Sequence, residues 1–281
     1  MGNRLVLAGS AKVGAGADQG ATQQLVYNEA RVPAGMGAGI RTVLGDDERS
    51  HVADTGAAPW RIVCHLAVEG RFRSVVGTGW FAGPRTIVTA GHCVFDTKMG
   101  GLAKRIRVSP GMRDGDTSAF GSIEATRFTA APAWLERGDA DFDIGVIQLD
   151  AVPGQADPGD RLGWFGVASL RDAELRDAMV NVSGYPMDKP QPRNGGMAGT
   201  QQWHARNRIV RVTDRRLLYE ADTAAGQSGG PAYIIDEPGG TPMVVGIHAY
   251  GIEGTPGGTV NSAPRITPEV MQLIQQWIDE S

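Results

Sequence analysis

From Pro59 onward the apolar residues of this 281-residue chain come in short, often β-branched runs broken by glycine, proline or charge. That pattern suits short strands rather than long packed helices. Forty glycines against 16 prolines and 6% aromatic residues fit many tight turns. Strand candidates are residues 60–66, 74–81, 85–89, 105–108, 123–128 and 144–149. A Pro/Gly/Asp-rich stretch at 152–159 reads as a crossover, and a second series follows at 179–182, 201–212, 217–220, 231–235, 243–247 and 258–260. Two series of six short strands lead to an all-β expectation: two six-stranded antiparallel β-barrels, whose closure leaves few exposed edges. Only the C-terminus reads as helix. Thr267 is an N-cap candidate, Pro268 takes the first helical position, and Val270, Leu273, Ile274, Trp277 and Ile278 recur at helical spacing. The apolar stripe of this C-terminal α-helix is expected to lie on the second barrel.

Three units follow. Residues 1–41, rich in Gly and Ala without periodicity, read as a leader or propeptide. Residues 42–151 form the N-terminal barrel and residues 152–281 the C-terminal barrel with the terminal helix. The formal net charge of −4, with both signs interspersed, gives no single-sign field to gather nucleic acid or anionic lipid. No apolar run approaches the ~18 residues of a membrane span, and the run near Met1 is short for a signal peptide. Neither nucleic acid nor membrane is expected as a partner.

The chemistry sits in three segments: Ala90-Gly91-His92-Cys93, Asp141-Phe142-Asp143-Ile144 and Gly226-Gln227-Ser228-Gly229-Gly230-Pro231. Together they supply a base, an orienting carboxylate and a hydroxyl nucleophile. A serine hydroxyl is a weak nucleophile unless an imidazole takes its proton, and small flanking residues let a substrate carbonyl approach Ser228. Of the five histidines, His92 ends a strand candidate, so a rigid element can aim it. Asp139, Asp141 and Asp143 compete for the carboxylate. Asp143 is preferred because the apolar run after it would seclude the charge, with Asp141 the runner-up. Each segment also has a plain structural reading: a Gly/Ser turn for Ser228 and a strand-end histidine for His92. The serine segment also fits Gly-x-Ser-x-Gly, but that motif needs a helix after the serine, and residues 231–235 look like strand. No close His/Glu ligand set suggests a metal, and no cofactor is expected.

Two cysteines, Cys64 and Cys93, lie 29 residues apart. That is too wide for a compact metal knuckle, and the position of Cys93 beside His92 favours a disulfide that fixes the base, with an oxidising compartment implied. Two buried free thiols are the alternative.

The chain resembles the trypsin-like serine endopeptidases over roughly residues 43–278, and within them the bacterial glutamyl endopeptidases, the staphylococcal V8-type and bacillus-type enzymes. Gly77-Thr78-Gly79-Trp80 with Ile87-Val88-Thr89-Ala90-Gly91-His92-Cys93 resembles their histidine segment, and Asp143-Ile144-Gly145-Val146-Ile147 their aspartate segment. Val182-Ser183-Gly184-Tyr185-Pro186-Met187-Asp188-Lys189 is similar to a further stretch of the group, with Met187 in place of a glycine that could need positive φ. The resemblance implies a double barrel with the triad at its interface, acylation of Ser228, and hydrolysis of protein or peptide substrates. It also implies an oxyanion hole from the N–H groups of Gly226 and Ser228, and makes Cys64 and Cys93 plausible neighbours. Thr223 and His248 match positions that contact a substrate carboxylate, so a preference for Glu, and less for Asp, before the scissile bond is expected. Tyr250, where the group has other residues, could reshape the cleft. Arg41-Thr42-Val43-Leu44-Gly45 looks like the group's processing junction. A processing protease acting after Arg41 would then free an α-amino group that joins the specificity site near Val43, as in a secreted zymogen. A different preference before the scissile bond, or an inactive binding module of the same fold, is the alternative.

Overall fold

The computed structural model describes residues 5–7, 41–115, 117–189, 198–235, 240–252 and 258–281. Two large sheets and a C-terminal helix account for most of it. The first sheet has seven strands in the order Ile123–Ala125, Arg105–Pro110, Val63–Glu69, Ser74–Phe81, Thr86–Thr89, Gly145–Gln148, Arg127–Ala130. Every neighbouring pair in it is antiparallel. The second has nine: Leu5–Leu7, Gly166–Ser169, Met243–Ile247, Pro231–Ile234, Met179–Gly184, Trp203–Val212, Arg216–Tyr219 and Asn261–Pro264, with Ser50–His51 added on Trp203–Val212.

The expected six strands per barrel are therefore corrected to seven and nine. The run read as one strand at 123–128 is two strands that separate at Thr126: Ile123–Ala125 pairs with Arg105–Pro110, and Arg127–Ala130 with Gly145–Gln148. Gly166–Ser169, a short run in a Gly-rich stretch, escaped the pattern, and it pairs in parallel with Met243–Ile247. Residues 258–260 are bends, and the strand is Asn261–Pro264. Of the expected leader, Leu5–Leu7 pairs with Gly166–Ser169, and residues 1–4 and 8–40 lie outside the described residues.

The helix Pro268–Asp279 starts as its sequence dictates. The Thr267 hydroxyl accepts from Val270 N at 3.3 Å, and Pro268 occupies the first turn, where a missing N–H costs nothing. Its buried face of Val270, Met271, Ile274 and Trp277 does more than cover the second sheet. These side chains join one core with Trp80, Phe81, Ile87 and Ile147 of the first sheet and Val167 and Val244 of the second. Gln148 Nε2 donates to Trp277 O at 3.0 Å, which ties the helix end to the first sheet. The helix is a strap across both sheets. Burial of each such large apolar side chain is worth about 1.5–3 kcal/mol.

The expected Cys64–Cys93 disulfide is absent: both thiols are free and buried. Cys64 lies in the large core with Leu66 and Val63, whereas Cys93 packs with Ala90 and Ala249 in a separate cluster. Cys93 Sγ lies 3.6 Å from the Ser228 carbonyl oxygen, and Cys64 Sγ 3.8 Å from that of Ile62. Burial pushes the Cys64 thiol well above its ordinary value, so it stays protonated. Among the described residues no helix is long and apolar enough to cross a membrane. Alkylation of the denatured, unreduced protein followed by intact-mass measurement should find both cysteines modified; a single species resistant to alkylation would contradict two free thiols.

Candidate active site

Sheet register explains how His92 and Asp143 meet. Thr86–Thr89 and Gly145–Gln148 are antiparallel neighbours with Thr89 opposite Gly145. His92 lies just past the end of the first strand, on the one-turn helix Gly91–Val94, and Asp143 just before the start of the second. Both therefore leave the sheet at the same edge. The Asp143 carboxylate is fully buried; Oδ1 accepts from His92 N at 2.8 Å, and Oδ2 lies 2.7 Å from His92 Nδ1. With Nδ1–H donating to that carboxylate, Nε2 is left as the proton-accepting nitrogen. Burial works against a charged imidazole, yet the charge of Asp143 outweighs it and holds His92 well above the ordinary histidine value.

The competing carboxylates have other partners. Asp141 Oδ1 accepts from Arg216 Nε at 2.5 Å, and Asp139 caps the turn at Asp141 and pairs with Arg137. Arg216 also stacks over the Tyr250 ring, its Cζ 4.9 Å from the centroid. That ring stands 6.3 Å from the His92 ring.

Ser228 comes from the second sheet's side, on a loop between Thr223–Ala224 and Pro231–Ile234. Thr78, buried in the first sheet, holds that loop. Its N–H donates to Ser228 O at 2.8 Å, its hydroxyl donates to Gly226 O at 2.8 Å and accepts from Tyr185 N at 3.1 Å. Gly226 and Gly229 have φ of +95° and +86°. A Cβ on Gly229 would collide with the Thr78 carbonyl, and one on Gly226 with that of Tyr185, so only glycine allows this close approach.

The loop's peptide planes are individually fixed. Met187 N donates to Ala225 O at 2.8 Å and Gly230 N to Gln227 O at 2.9 Å. In a trans peptide the N–H points opposite to the C=O. The N–H groups of Gly226 and Ser228 therefore face away from those bonds, and neither has an acceptor among the described residues. Met187 itself does not adopt positive φ, so replacing a glycine there strains nothing.

The expected specificity residues flank this loop. Thr223 is buried and opposes Thr42 in a short antiparallel pair in which Arg41 opposes Ala224, which puts Val43 beside it. His248 is buried on the neighbouring strand's continuation; its N donates to Gly230 O at 2.9 Å and its O accepts from Gly229 N at 2.7 Å. Its Nδ1 lies 2.6 Å from the Tyr219 hydroxyl. Burial, then the charge of His92, pushes His248 down to about 3, so it is a neutral imidazole. With Tyr219 O–H donating to Nδ1, Nε2–H becomes a donor. In the sequence Tyr219 belongs only to a strand candidate and Thr78 only to a matching segment. Arg216 carries no local signal at all.

Two sheets that meet over a buried aspartate, a histidine and a glycine-framed serine define the serine-protease fold. The chain belongs to the trypsin family, whose profile matches residues 49–277. It is 34% identical over 255 residues to a Glutamyl endopeptidase of Bacillus licheniformis, covering 89% of this chain and 73% of that one. It is 31% identical over 242 residues to a Bacillus subtilis protein named Extracellular metalloprotease, covering 85% of this chain and 70% of that one. A solved Glu endopeptidase structure superposes with a TM-score of 0.71 at 28% identity, covering 84% of this chain and 99% of that one.

Replacing Thr78 with valine keeps the shape but strands the Gly226 carbonyl and the Tyr185 N–H without partners. Each buried orphan costs about 1–3 kcal/mol, so urea unfolding should show a loss of about 2 kcal/mol or more with an unchanged m value. An unchanged midpoint would mean the junction contributes nothing.

Proposed function

We propose that this chain is a serine endopeptidase that cleaves peptide bonds through an acyl-enzyme, with Glu, and less readily Asp, before the scissile bond. The observation that carries the reading is the His92 ring fixed by Nδ1 on the buried Asp143, beside a loop that holds Ser228 and two N–H groups without protein acceptors among the described residues. In this mechanism His92 Nε2 takes the Ser228 proton as Oγ bonds the substrate carbonyl carbon. The resulting oxyanion accepts from the N–H groups of Gly226 and Ser228. His92 then gives its proton to the leaving amine as the C–N bond breaks, and water hydrolyses the ester by the same route.

Support for the acidic preference comes from the neutral His248, whose Nε2–H suits a carboxylate, from Thr223, and from the Glutamyl endopeptidase relative. A buried carboxylate needs such donors to offset its lost hydration. Asp222, six residues before Ser228, would suit a basic side chain instead. Both its oxygens are already engaged, by Leu44 N and Glu48 N at 2.8 Å each. The reading includes two units, 42–151 and 152–281, a leader removed after Arg41 by a processing protease, with Val43 near the pocket, and an extracellular site of action. The strand pair Arg41–Thr42 with Thr223–Ala224 supports the junction, because a new α-amino group there would arise beside Thr223.

A fluorophosphonate should label the matured chain and not Ser228→Ala; N-terminal sequencing of the labelled species should begin just after Arg41. Absence of labelling would leave the binding-module alternative, and a labelled, active chain that retains its leader would remove the maturation step. On a mixed peptide library, cleavage after Glu should dominate and His248→Ala should lose that preference while still acylating. Dominance of any residue other than Glu or Asp would refute the specificity.

The base must be neutral to act, and its folded value is raised. Activity should therefore be lost below, and rise with pH through, a limb above the ordinary histidine value of about 6.5. A kcat/KM profile with its acid limb below that value would contradict the Asp143–His92 assignment.

A further inference from the structure

Resting on the reading of Ser228 as nucleophile, we propose that Leu44–Arg49 is a strut holding the nucleophile loop at both ends, with Arg49 a positioning residue for the oxyanion-binding N–H groups. At the start of the loop, Asp222 accepts from Leu44 N and Glu48 N. At its end, Gln227 Oε1 accepts from Ala224 N at 2.9 Å and from Arg49 Nη1 at 3.4 Å.

The Arg49 side chain is fully buried, and all five of its N–H donors are used. Nε and Nη2 bind Asp47 at 2.9 and 2.8 Å, Nη1 and Nη2 bind Asp188 at 2.9 and 2.6 Å, and Nη1 also reaches Gln227. Lys189, with Nζ 2.6 Å from Asp47 Oδ2 and 4.0 Å from the centroid of the Trp203 ring, completes a charge-balanced cluster of two cations and two carboxylates.

What distinguishes this cluster from a plain structural pin is where it attaches. Asp188 adjoins Met187, whose N–H fixes the Ala225–Gly226 peptide plane and so aims the Gly226 N–H. Gln227 supplies the carbonyl of the other plane, the one that aims the Ser228 N–H. One guanidinium thus touches both Gln227, whose carbonyl belongs to one of these planes, and Asp188, the chain neighbour of the residue that fixes the other. Its planar fork can hold both partners at once, which a lysine ammonium cannot. A whole buried ion cluster adds little over apolar packing of the same volume, whereas removing one member strands its partners, so labelling rate rather than thermal midpoint is the readout that bears on positioning by Arg49.

The test compares native chain, Ser228→Ala, Arg49→Met, Gln227→Met and the double variant, all matured, with Phe72→Ser on the exposed surface as a control. Readouts are the second-order rate of fluorophosphonate labelling, kcat and KM on a Glu-containing peptide, and the thermal midpoint. Oxyanion alignment matters in the transition state, so kcat and labelling should fall about 10- to 100-fold well below the midpoint, with KM within about threefold. The double variant should be slowed by less than the product of the two single effects, because the Arg49–Gln227 tie is common to both. A folded Arg49→Met that labels within about twofold of native, or singles whose effects multiply, would overturn the proposal. Should Arg49→Met not fold, Gln227→Met decides alone, since it leaves the ion cluster intact: a tenfold fall supports the strut, a native rate overturns it. Failure of the native chain to label, or equal labelling of Ser228→Ala, would instead sink the nucleophile assignment.

Discussion

The seam between Thr78 and the loop of Ser228 is the constraint on which the rest depends. His92 and Asp143 flank strands of one sheet and Ser228 a strand of the other. Something in the first sheet must therefore grip the loop through groups that cannot slip. Thr78 does so with its backbone N–H and its hydroxyl, both buried, while the Thr89 hydroxyl donates to the Thr78 carbonyl at 2.7 Å. Because the Thr78 N–H goes to the carbonyl of Ser228 itself, the loop is tied to the first sheet at the main chain of that serine. Glycines at 226 and 229 permit that contact, since a Cβ at either would strike a main-chain carbonyl.

Around this seam, buried or half-buried carboxylates have been given separate work by their partners. Asp143 faces an imidazole, Asp141 a guanidinium, Asp222 two backbone N–H groups, and Asp47 with Asp188 the buried Arg49. The same chemical group thus orients an imidazole, closes an ion pair, anchors a chain segment or neutralises a cation. Burial alone raises a carboxylate's pKa, as it does for Asp222 despite its two N–H donors, whereas Asp47 is held well below the usual range because Arg49 and Lys189 outweigh burial. The imidazoles show the same division: His92 is raised by a carboxylate, and His248, buried against a tyrosine hydroxyl, is kept neutral.

The thiols and the terminal helix mark where local reading fails. Cys64 and Cys93 sit close enough in sequence and context to suggest a bond, yet each packs against different apolar neighbours and serves as a small hydrophobe. The helix begins where its capping residues dictate, but its stripe completes a core shared by both sheets rather than covering one. Amphipathic spacing states that a face will be buried and says nothing about which element buries it.

Sequence by itself determined the all-β character, most strand positions, the helix start at Thr267-Pro268, and the residue types of the candidate site in their three segments. Those properties are carried by near neighbours: alternation and β-branching, turn-forming glycines, and capping chemistry act within a few residues. Sequence also preferred Asp143 among three aspartates, and that is the one that meets His92. Tertiary structure alone decided the strand count and the parallel pair, the free state of both thiols, and the contacts, and so the structural roles, of Thr78, Tyr219, Arg49 and Arg216. Each of these roles depends on a partner far away in the chain, as in the tie from Arg49 to Gln227, 178 residues on, or the bond from Tyr219 to His248, 29 residues on. Strand pairing and packing across the molecule bring such residues together, and the few residues around each one do not name its distant partner.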